Sequence, residues 1–274
     1  MKVSDKKVKE FQTTVLDYYK THGRHALPWR ETHDPYHILV SEVMLQQTQV
    51  ARVIPYFTRW LSVFPDVHTL AKVPFSKVLR MWQGLGYNRR AKMLHQCAKM
   101  IVKEYKGVFP KKAEALQKLP GVGSYTAGAV TAFAYNHDTV FIETNIRTVV
   151  MHHFFTRTKK VNDAEIMSIL EKVFPKGKAR IWYSALMDYG AHLKKSGVRI
   201  NTKAKGYVKQ KKFAGSDREA RGAILKALVQ GPKPATLLIN LFGTERRGQL
   251  KKQLPSLTKE GLIILKNGNF RIPP

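Results

Sequence analysis

The sequence predicts an all-α protein closed by a small winged-helix-like module. Three observations carry this: apolar residues recur at helical spacing from residue 5 to about 195, no convincing period-two run interrupts them, and only the end of the chain alternates, around an Asn-Gly turn. Residues 5 to 22 form one amphipathic helix by the spacing of Val8, Phe11, Val15 and Leu16. His25-Ala26-Leu27-Pro28-Trp29-Arg30 breaks that pattern, and Asp34-Pro35 opens the next helix. Ile38, Leu39, Val43 and Met44, then Val53, Ile54, Phe57, Trp60 and Leu61, continue as short helices punctuated by Pro65, Pro74, Gly84-Leu85-Gly86 and the stretch from Gly107 to Pro110. Met93, Leu94, Cys97, Ala98 and Ile101 mark one further helix face, and helical spacing resumes over 142–155, 164–174 and 178–194.

Residues 203–212 are too polar to enter a core and read as a basic linker. Beyond it come a helix over 218–229, an apolar run over 236–242, a helix over 248–258, and two β-like runs around Asn267-Gly268. Helices followed by one basic hairpin is the order of a winged helix. A nucleic-acid or protein contact and a purely stabilising role both fit it.

The 48 Lys and Arg against 19 Asp and Glu give a net charge of +29, which calls for a polyanionic partner, with nucleic acid the leading candidate. No segment has the length of a membrane-spanning helix, and the charged N-terminal residues lack the apolar core of a secretory signal, so a cytoplasmic, nucleoid-associated location is expected. One cysteine, Cys97, cannot build an intramolecular disulfide, a cysteine zinc site or an iron–sulfur cluster, and its place on an apolar face predicts burial. His152 and His153 fall on different helix faces and read as packing or surface residues, while His33 and His37 are separated by the Asp34-Pro35 break.

Leu119-Pro120-Gly121-Val122-Gly123-Ser124 leads into the small-residue run Tyr125-Thr126-Ala127-Gly128-Ala129-Val130. Two glycines around a valine permit a tight turn whose N–H groups converge at a helix N-terminus, a phosphate-holding arrangement, although an ordinary helix-turn-helix corner has the same signature. About twenty residues later stands the acid Glu143, which reads either as a catalytic carboxylate or as a helix N-terminal charge, with Thr144 or Asn145 as a cap. Glu42 lies within the otherwise apolar Leu39 to Leu45; if it faces inward, burial raises its pKa toward that of a general acid, and if outward it is an ordinary surface acid. The run Gln46-Gln47-Thr48-Gln49 suits insertion into a base stack or a solvated helix end. Tyr87 with Arg89 and Arg90 offers a stacking face beside phosphate contacts.

Taken together, Leu27-Pro28-Trp29-Arg30, Asp34-Pro35-Tyr36, Ser41 to Val50, Ile54-Pro55-Tyr56-Phe57, Trp82 to Tyr87 and Leu119 to Val130 resemble the MutY-type adenine DNA glycosylases of the helix-hairpin-helix superfamily, over roughly residues 25 to 195. The resemblance implies that fold, with two helical subdomains flanking a cleft: residues 1–30 with 136–200, and 31–135 with the hairpin, followed by the linker 201–215 and the module 216–274. It implies excision of adenine mispaired with 8-oxoguanine or guanine from double-stranded DNA. By the same resemblance, Glu42 is the acid that protonates the flipped base and Glu143 the carboxylate that stabilises the oxocarbenium-like sugar. Asn145 and Tyr125 complete the site. Gln46, Gln47 and Thr48 form the wedge, and Gly121, Val122, Gly123 and Ser124 grip phosphate. Arg147 joins the DNA-binding set, and a monovalent cation sits on carbonyls near Leu119 and Val122.

Bifunctional relatives carry a Schiff-base lysine where this chain has Tyr125, which implies a monofunctional glycosylase. Three departures from the family accompany the match. Glu143 replaces the usual Asp. No cysteine follows Met187-Asp188-Tyr189-Gly190-Ala191, so no iron–sulfur cluster and no other cofactor is expected. The larger 8-oxoguanine-reading domain gives way to the short tail. A glycosylase for another lesion such as deaminated adenine, and a non-catalytic DNA-binding protein, stay open beside the first reading. A monomer free of membranes is expected.

Overall fold

A computed structural model describes residues 3–156, 158, 160–205, 207 and 212–274. In chain order the helices are α1 (Asp5–His22), α2 (Pro35–Leu45), α3 (Val50–Val63), α4 (Val67–Lys72), α5 (Phe75–Trp82), α6 (Arg89–Tyr105) and α7 (Ala113–Leu116). They continue as α8 (Ser124–Tyr135), α9 (Thr144–Phe154), α10 (Asp163–Val173), α11 (Ala179–Lys195), α12 (Asp217–Val229), α13 (Ala235–Ile239) and α14 (Arg247–Lys259). Three short strands follow α12, namely β1 (Lys233–Pro234), β2 (Ile264–Lys266) and β3 (Asn269–Arg271), and Pro28–Arg30 form a 3-10 turn between α1 and α2. The helices expected over 5–22, 142–155, 164–174, 178–194, 218–229 and 248–258 are present as α1, α9 to α12 and α14, with ends within two residues. None is long and apolar enough to cross a membrane among the described residues. The chain forms two compact units.

The first unit comprises Met1–Glu42, Pro110–Lys118 and Val122–Lys209. Its core gathers Phe11 and Val15 of α1, Ala129 and Ala132 of α8, Ile146 and Val149 of α9, Ile169 of α10, and Trp182 and Leu186 of α11. Phe11 meets the Trp182 ring edge-on at 5.8 Å. Local signals fix the helix ends: Ser4 caps α1 by accepting from the Lys7 N–H, and Asn162 and Glu165 form a reciprocal capping box on α10. Gly190 lets α11 approach α9 closely, since a Cβ there would lie 2.3 Å from the Asn145 carbonyl oxygen.

Asp188, on α11, is the buried electrostatic centre of this unit. Its carboxylate accepts from the Arg24 backbone N–H at 2.7 Å, from the Arg24 guanidinium, and from Arg30 at 2.6 and 2.9 Å. Burial alone would raise its pKa, but the Arg30 hydrogen bonds and charge, with those of Arg24, override burial and hold it below the usual carboxylate value. The stability from this depressed pKa is present above the unfolded-state value and is lost as pH falls through the folded one. Asp188→Asn leaves two guanidiniums facing a neutral amide, and urea unfolding at pH 7 is expected to show a loss of about 3–5 kcal/mol. A loss below about 1 kcal/mol would assign the cluster no net structural weight.

The second unit comprises Val43–Phe109, Leu119–Gly121 and Gln210–Pro274. Trp60 of α3 and Trp82 of α5 meet edge-to-face at 5.5 Å, and α6 contributes Ala91, Leu94, Ala98 and Ile101 to the core. Cys97 is buried on that same α6 face, where desolvation pushes its thiol up to about 12, so it packs and does not react.

Residues 216–274 run α12, β1, α13, α14, β2, β3, with an antiparallel sheet in the order β1-β3-β2. Asn267 and Gly268 both have positive φ, 51° and 73°, as a two-residue hairpin turn requires. Strand β1 escaped the sequence reading because a Lys-Pro dipeptide shows no alternation. Of the expected linker, residues 206 and 208–211 lie outside the described residues. Before them Ile200–Lys203 form a 3-10 turn, and Ala204 bridges Val161.

Candidate active site

Helix α2 starts where the sequence placed it. Asp34 accepts from the Tyr36 N–H at 2.7 Å, and Pro35 occupies the first helical position, where its missing N–H costs nothing. Ile38, Leu39, Val40, Val43 and Met44 are buried, which leaves α2 no wet face at its middle; Glu42 is 4% exposed. The inward reading of this acid is therefore the correct one. The Tyr125 hydroxyl, delivered by the first turn of α8, donates to Glu42 Oε2. Burial drives the Glu42 pKa up to about 7; the Tyr125 bond opposes this, the Glu143 charge adds to it, and Arg30 lowers it. Tyr125 is itself pushed far above its ordinary pKa by burial and by the two neighbouring acids, so it stays a neutral donor.

Glu143 is half-buried and sits at the N-cap of α9, with its Oε1 accepting from the Asn145 N–H at 2.7 Å and the Ile146 N–H at 2.9 Å. Glu143 is thus itself the cap, and not Thr144 or Asn145, which lie inside the first turn. Burial raises the Glu143 pKa, while the two backbone bonds and the Lys194 charge hold it back. Asn145 Nδ2 lies 3.3 Å from Glu143 Oε2, and Asn145 Oδ1 is buried with no hydrogen-bond partner among the described residues. An unsatisfied acceptor of this kind calls for a donor from outside the protein. Glu42, Tyr125, Glu143 and Asn145 are all in the first unit, and their mutual electrostatic effects bring them into one site.

The hairpin residues divide in character. Gly121, at φ +75°, needs to be glycine, because a Cβ would meet the Met93 Cβ at 2.4 Å. Gly123 has an ordinary φ of −86° and open space where a Cβ would go, so the fold places no demand on it. It precedes Ser124 at the exposed start of α8, and no side chain caps that helix. Val122 and Leu119 are buried.

Gln46 to Gln49 form the turn between α2 and α3, with Gln47 exposed at φ 54°, a left-handed conformation that costs a non-glycine residue about 1 kcal/mol or more. The residue holding this turn is Arg90, and here the structure corrects the sequence. Arg90 does not face outward toward phosphates. Its guanidinium donates to the carbonyls of Val43 (2.7 Å), Met44 (3.0 Å) and Gln46 (2.6 Å), and also to those of Leu85 and Gly86. A cation is thereby placed on the final carbonyls of α2, whose last turn holds no basic residue. Tyr87, expected as an open stacking face, is likewise engaged: the Arg90 and Arg218 guanidiniums lie 5.5 and 5.4 Å from its ring centroid, and Arg218 donates to its hydroxyl at 2.7 Å. Arg147 is paired with Asp163 at 2.8 Å. Arg89 is exposed. His153 bonds the Tyr189 hydroxyl at 3.1 Å, in keeping with packing, and no metal-binding group of three His, Cys, Asp or Glu occurs among the described residues.

Residues 40–176 match the model of the HhH-GPD superfamily base excision DNA repair proteins. The chain is 34% identical to an adenine DNA glycosylase of Mycolicibacterium smegmatis, over 91% of each sequence. It is also 34% identical to an adenine DNA glycosylase of Buchnera aphidicola, over 74% of this chain and 60% of that one. Among solved structures, a thermostable thymine-DNA glycosylase superposes with a TM-score of 0.62 at 26% identity, covering 73% of this chain and 95% of that one. An endonuclease III in a covalent complex with DNA shares the fold, with a TM-score of 0.60 at 20% identity and coverage of 70% and 88%. The chain belongs to the HhH-GPD superfamily of base excision DNA repair proteins and, within it, to the adenine DNA glycosylase family.

Proposed function

We propose that this protein is a monofunctional glycosylase that hydrolyses the N-glycosidic bond of adenine mispaired with 8-oxoguanine or guanine in duplex DNA. The observation that carries the reading is the pair of neighbouring carboxylates held in unlike surroundings: Glu42 buried against the Tyr125 hydroxyl with a pKa near 7, and Glu143 half-buried on the N–H groups that open α9. Unlike surroundings push the proton affinities of the two acids apart: burial raises that of Glu42, while the N–H groups of α9 hold that of Glu143 back. A base stacked in a duplex is out of reach, so the target nucleotide is flipped before reaction.

Glu42 then donates its proton to a ring nitrogen of the flipped adenine, and the C1′–N bond breaks as the base leaves with that bond's electron pair and the added proton. The sugar is left with oxocarbenium character, against which the Glu143 carboxylate is set. Water adds at C1′ and its proton passes to Glu143. Asn145 Oδ1, without a partner, is placed to accept from that water or from the base. Tyr125, standing where a Schiff-base amine would be, donates to Glu42 instead, in keeping with hydrolysis without strand cleavage.

Gln46, Gln47 and Thr48 supply the wedge, and Arg90 holds the turn that carries it. The uncapped start of α8 at Gly121, Val122, Gly123 and Ser124 is suited to a backbone phosphate. Leu119 and Val122 can offer a metal only their backbone oxygens, hard donors of the kind a monovalent cation takes.

Single-turnover base release from duplexes carrying A:8-oxoguanine, A:G, hypoxanthine:T and undamaged pairs tests the proposal. Release from A:8-oxoguanine and A:G at rates at least about 10²-fold above hypoxanthine:T is expected. Fastest release of hypoxanthine would replace adenine as the substrate, in line with the longer acid at Glu143. Tight binding with no release across the set would overturn the enzymatic reading.

A further inference from the structure

The C-terminal module carries a charge imbalance that its own packing does not resolve. Residues 216–274 hold eleven lysines and arginines against four acids, Asp217, Glu219, Glu245 and Glu260. Three of those acids are engaged within the module: Glu219 with Arg246 at 2.8 Å, Glu260 with Arg221 at 2.6 Å, and Asp217 with the Gln249 amide at 2.8 Å. Four of the remaining cations are carried by one element. Helix α14 buries Leu250, Gln253, Leu254 and Leu257, and its opposite side exposes Arg247, Lys251, Lys252 and Lys259. Arg247 bonds the neutral Asn240 side chain, and none of Lys251, Lys252 or Lys259 makes an ion pair among the described residues. At the hairpin that follows, the turn Asn267-Gly268 carries Lys266 beside it, exposed and likewise unpaired.

Four like charges on one side of a helix repel each other, and on a module this small they are a standing cost to the folded state unless an anion offsets them. The order α12, β1, α13, α14, β2, β3 makes α14 the second helix of a helix-turn-helix pair, the one that such modules lay in a DNA major groove, and the β2–β3 turn follows it in the chain. We propose that the exposed side of α14, with the β2–β3 turn, is a phosphate-contacting surface for duplex DNA, reading no sequence and serving to hold the protein on undamaged DNA. Arg247, Lys251, Lys252 and Lys259 supply its cations. The side chains are long, flexible ammonium groups for the most part, and they offer point charges to phosphates with few of the planar donors that base edges select. The inference rests on the reading that this protein works on duplex DNA, but it needs no base chemistry.

The test uses the full chain and an undamaged duplex of about three helical turns, with the dissociation constant measured by fluorescence anisotropy between 50 and 300 mM salt, values of order set by counterion release. Lys251→Ala/Lys252→Ala/Lys259→Ala is compared with Lys6→Ala/Lys9→Ala/Lys20→Ala, which removes the same charge from exposed positions of α1. The α14 variant is expected to bind at least about tenfold more weakly, and the slope of log K against log salt to become shallower by about 2 to 3, with the α1 variant near wild type. Equal losses in both variants would reduce the effect to net charge and overturn the proposal, as would no loss in either. Vesicles containing phosphatidylserine form a second arm: loss of vesicle binding in the α14 variant with duplex binding retained would assign the surface to a membrane instead. Because the duplex holds no lesion, a failure of the glycosylase reading leaves this outcome unaffected. All three α14 positions are exposed, and unchanged thermal unfolding confirms that folding is not what is being measured.

Discussion

Glu42→Gln is expected to lower single-turnover release of adenine from an A:8-oxoguanine duplex by about 10²- to 10⁴-fold, the contribution of a positioned general acid. The fold should survive, for a definite reason. Glutamine is nearly isosteric with a protonated glutamate, and its carbonyl can still accept from the Tyr125 hydroxyl that now donates to Glu42 Oε2. Burial raises the Glu42 pKa to about 7, so the folded protein prefers the neutral acid that glutamine imitates. The sign follows from linkage. Between the unfolded-state pKa near 4.5 and the folded value near 7 the native state binds the extra proton, so stability declines as pH rises across that window and is flat above it. The variant lacks this decline and is expected to match or exceed wild type in thermal stability at pH 8.

The same pKa sets the rate profile of the native protein. Base release should fall about tenfold per unit above about pH 7, as the acid is consumed, and fall again at acid pH as Glu143 takes up a proton. A Glu42→Gln protein that folds and releases adenine at the native rate would remove Glu42 from the mechanism altogether.

The parts of this arrangement that could be read from the chain are those written in local signals. Helix α2 announced itself by Asp34-Pro35, and Glu42 by being the one acid in an apolar run. What could not be read are contacts joining distant positions or aimed at the backbone. Nothing near Tyr125 says that its hydroxyl will meet a carboxylate 83 residues earlier; only the family resemblance put both at one site. Arg90 reads as a surface cation because arginine usually is one, and because main-chain carbonyls at the end of α2 and in the turns around Gln46 and Gly86 carry no side-chain signature. The partners of Tyr87 and Arg147 were hidden in the same way, since Arg218 and Asp163 come from elsewhere in the chain. The pair of strained residues Gln47 and Tyr87, at φ 54° and 46°, has no proline, glycine or other punctuation at either position to give it away.

Glu143→Asp separates the length of the second carboxylate from its charge, and is expected to reduce adenine release by about 10²-fold with little change in thermal stability. Aspartate is among the best N-cap residues, so the bonds that open α9, now made by Glu143 to the Asn145 and Ile146 N–H groups, survive the exchange. What changes is where the free oxygen stands. With Oε1 committed to the helix, Oε2 projects toward Asn145 Nδ2 at 3.3 Å, and removing one methylene draws it back by about an ångström from the position at which a charged sugar would develop. Glu143→Gln is the control for charge: its amide oxygen can keep the cap, yet it offers the transition state no negative charge, and a further loss beyond that of the aspartate variant is expected. If aspartate proves as fast as glutamate, the helix cap alone explains the residue, and the longer side chain is a tolerated variation. If aspartate is faster with adenine, the site as it stands is built for a different base, and the lesion series above then identifies which.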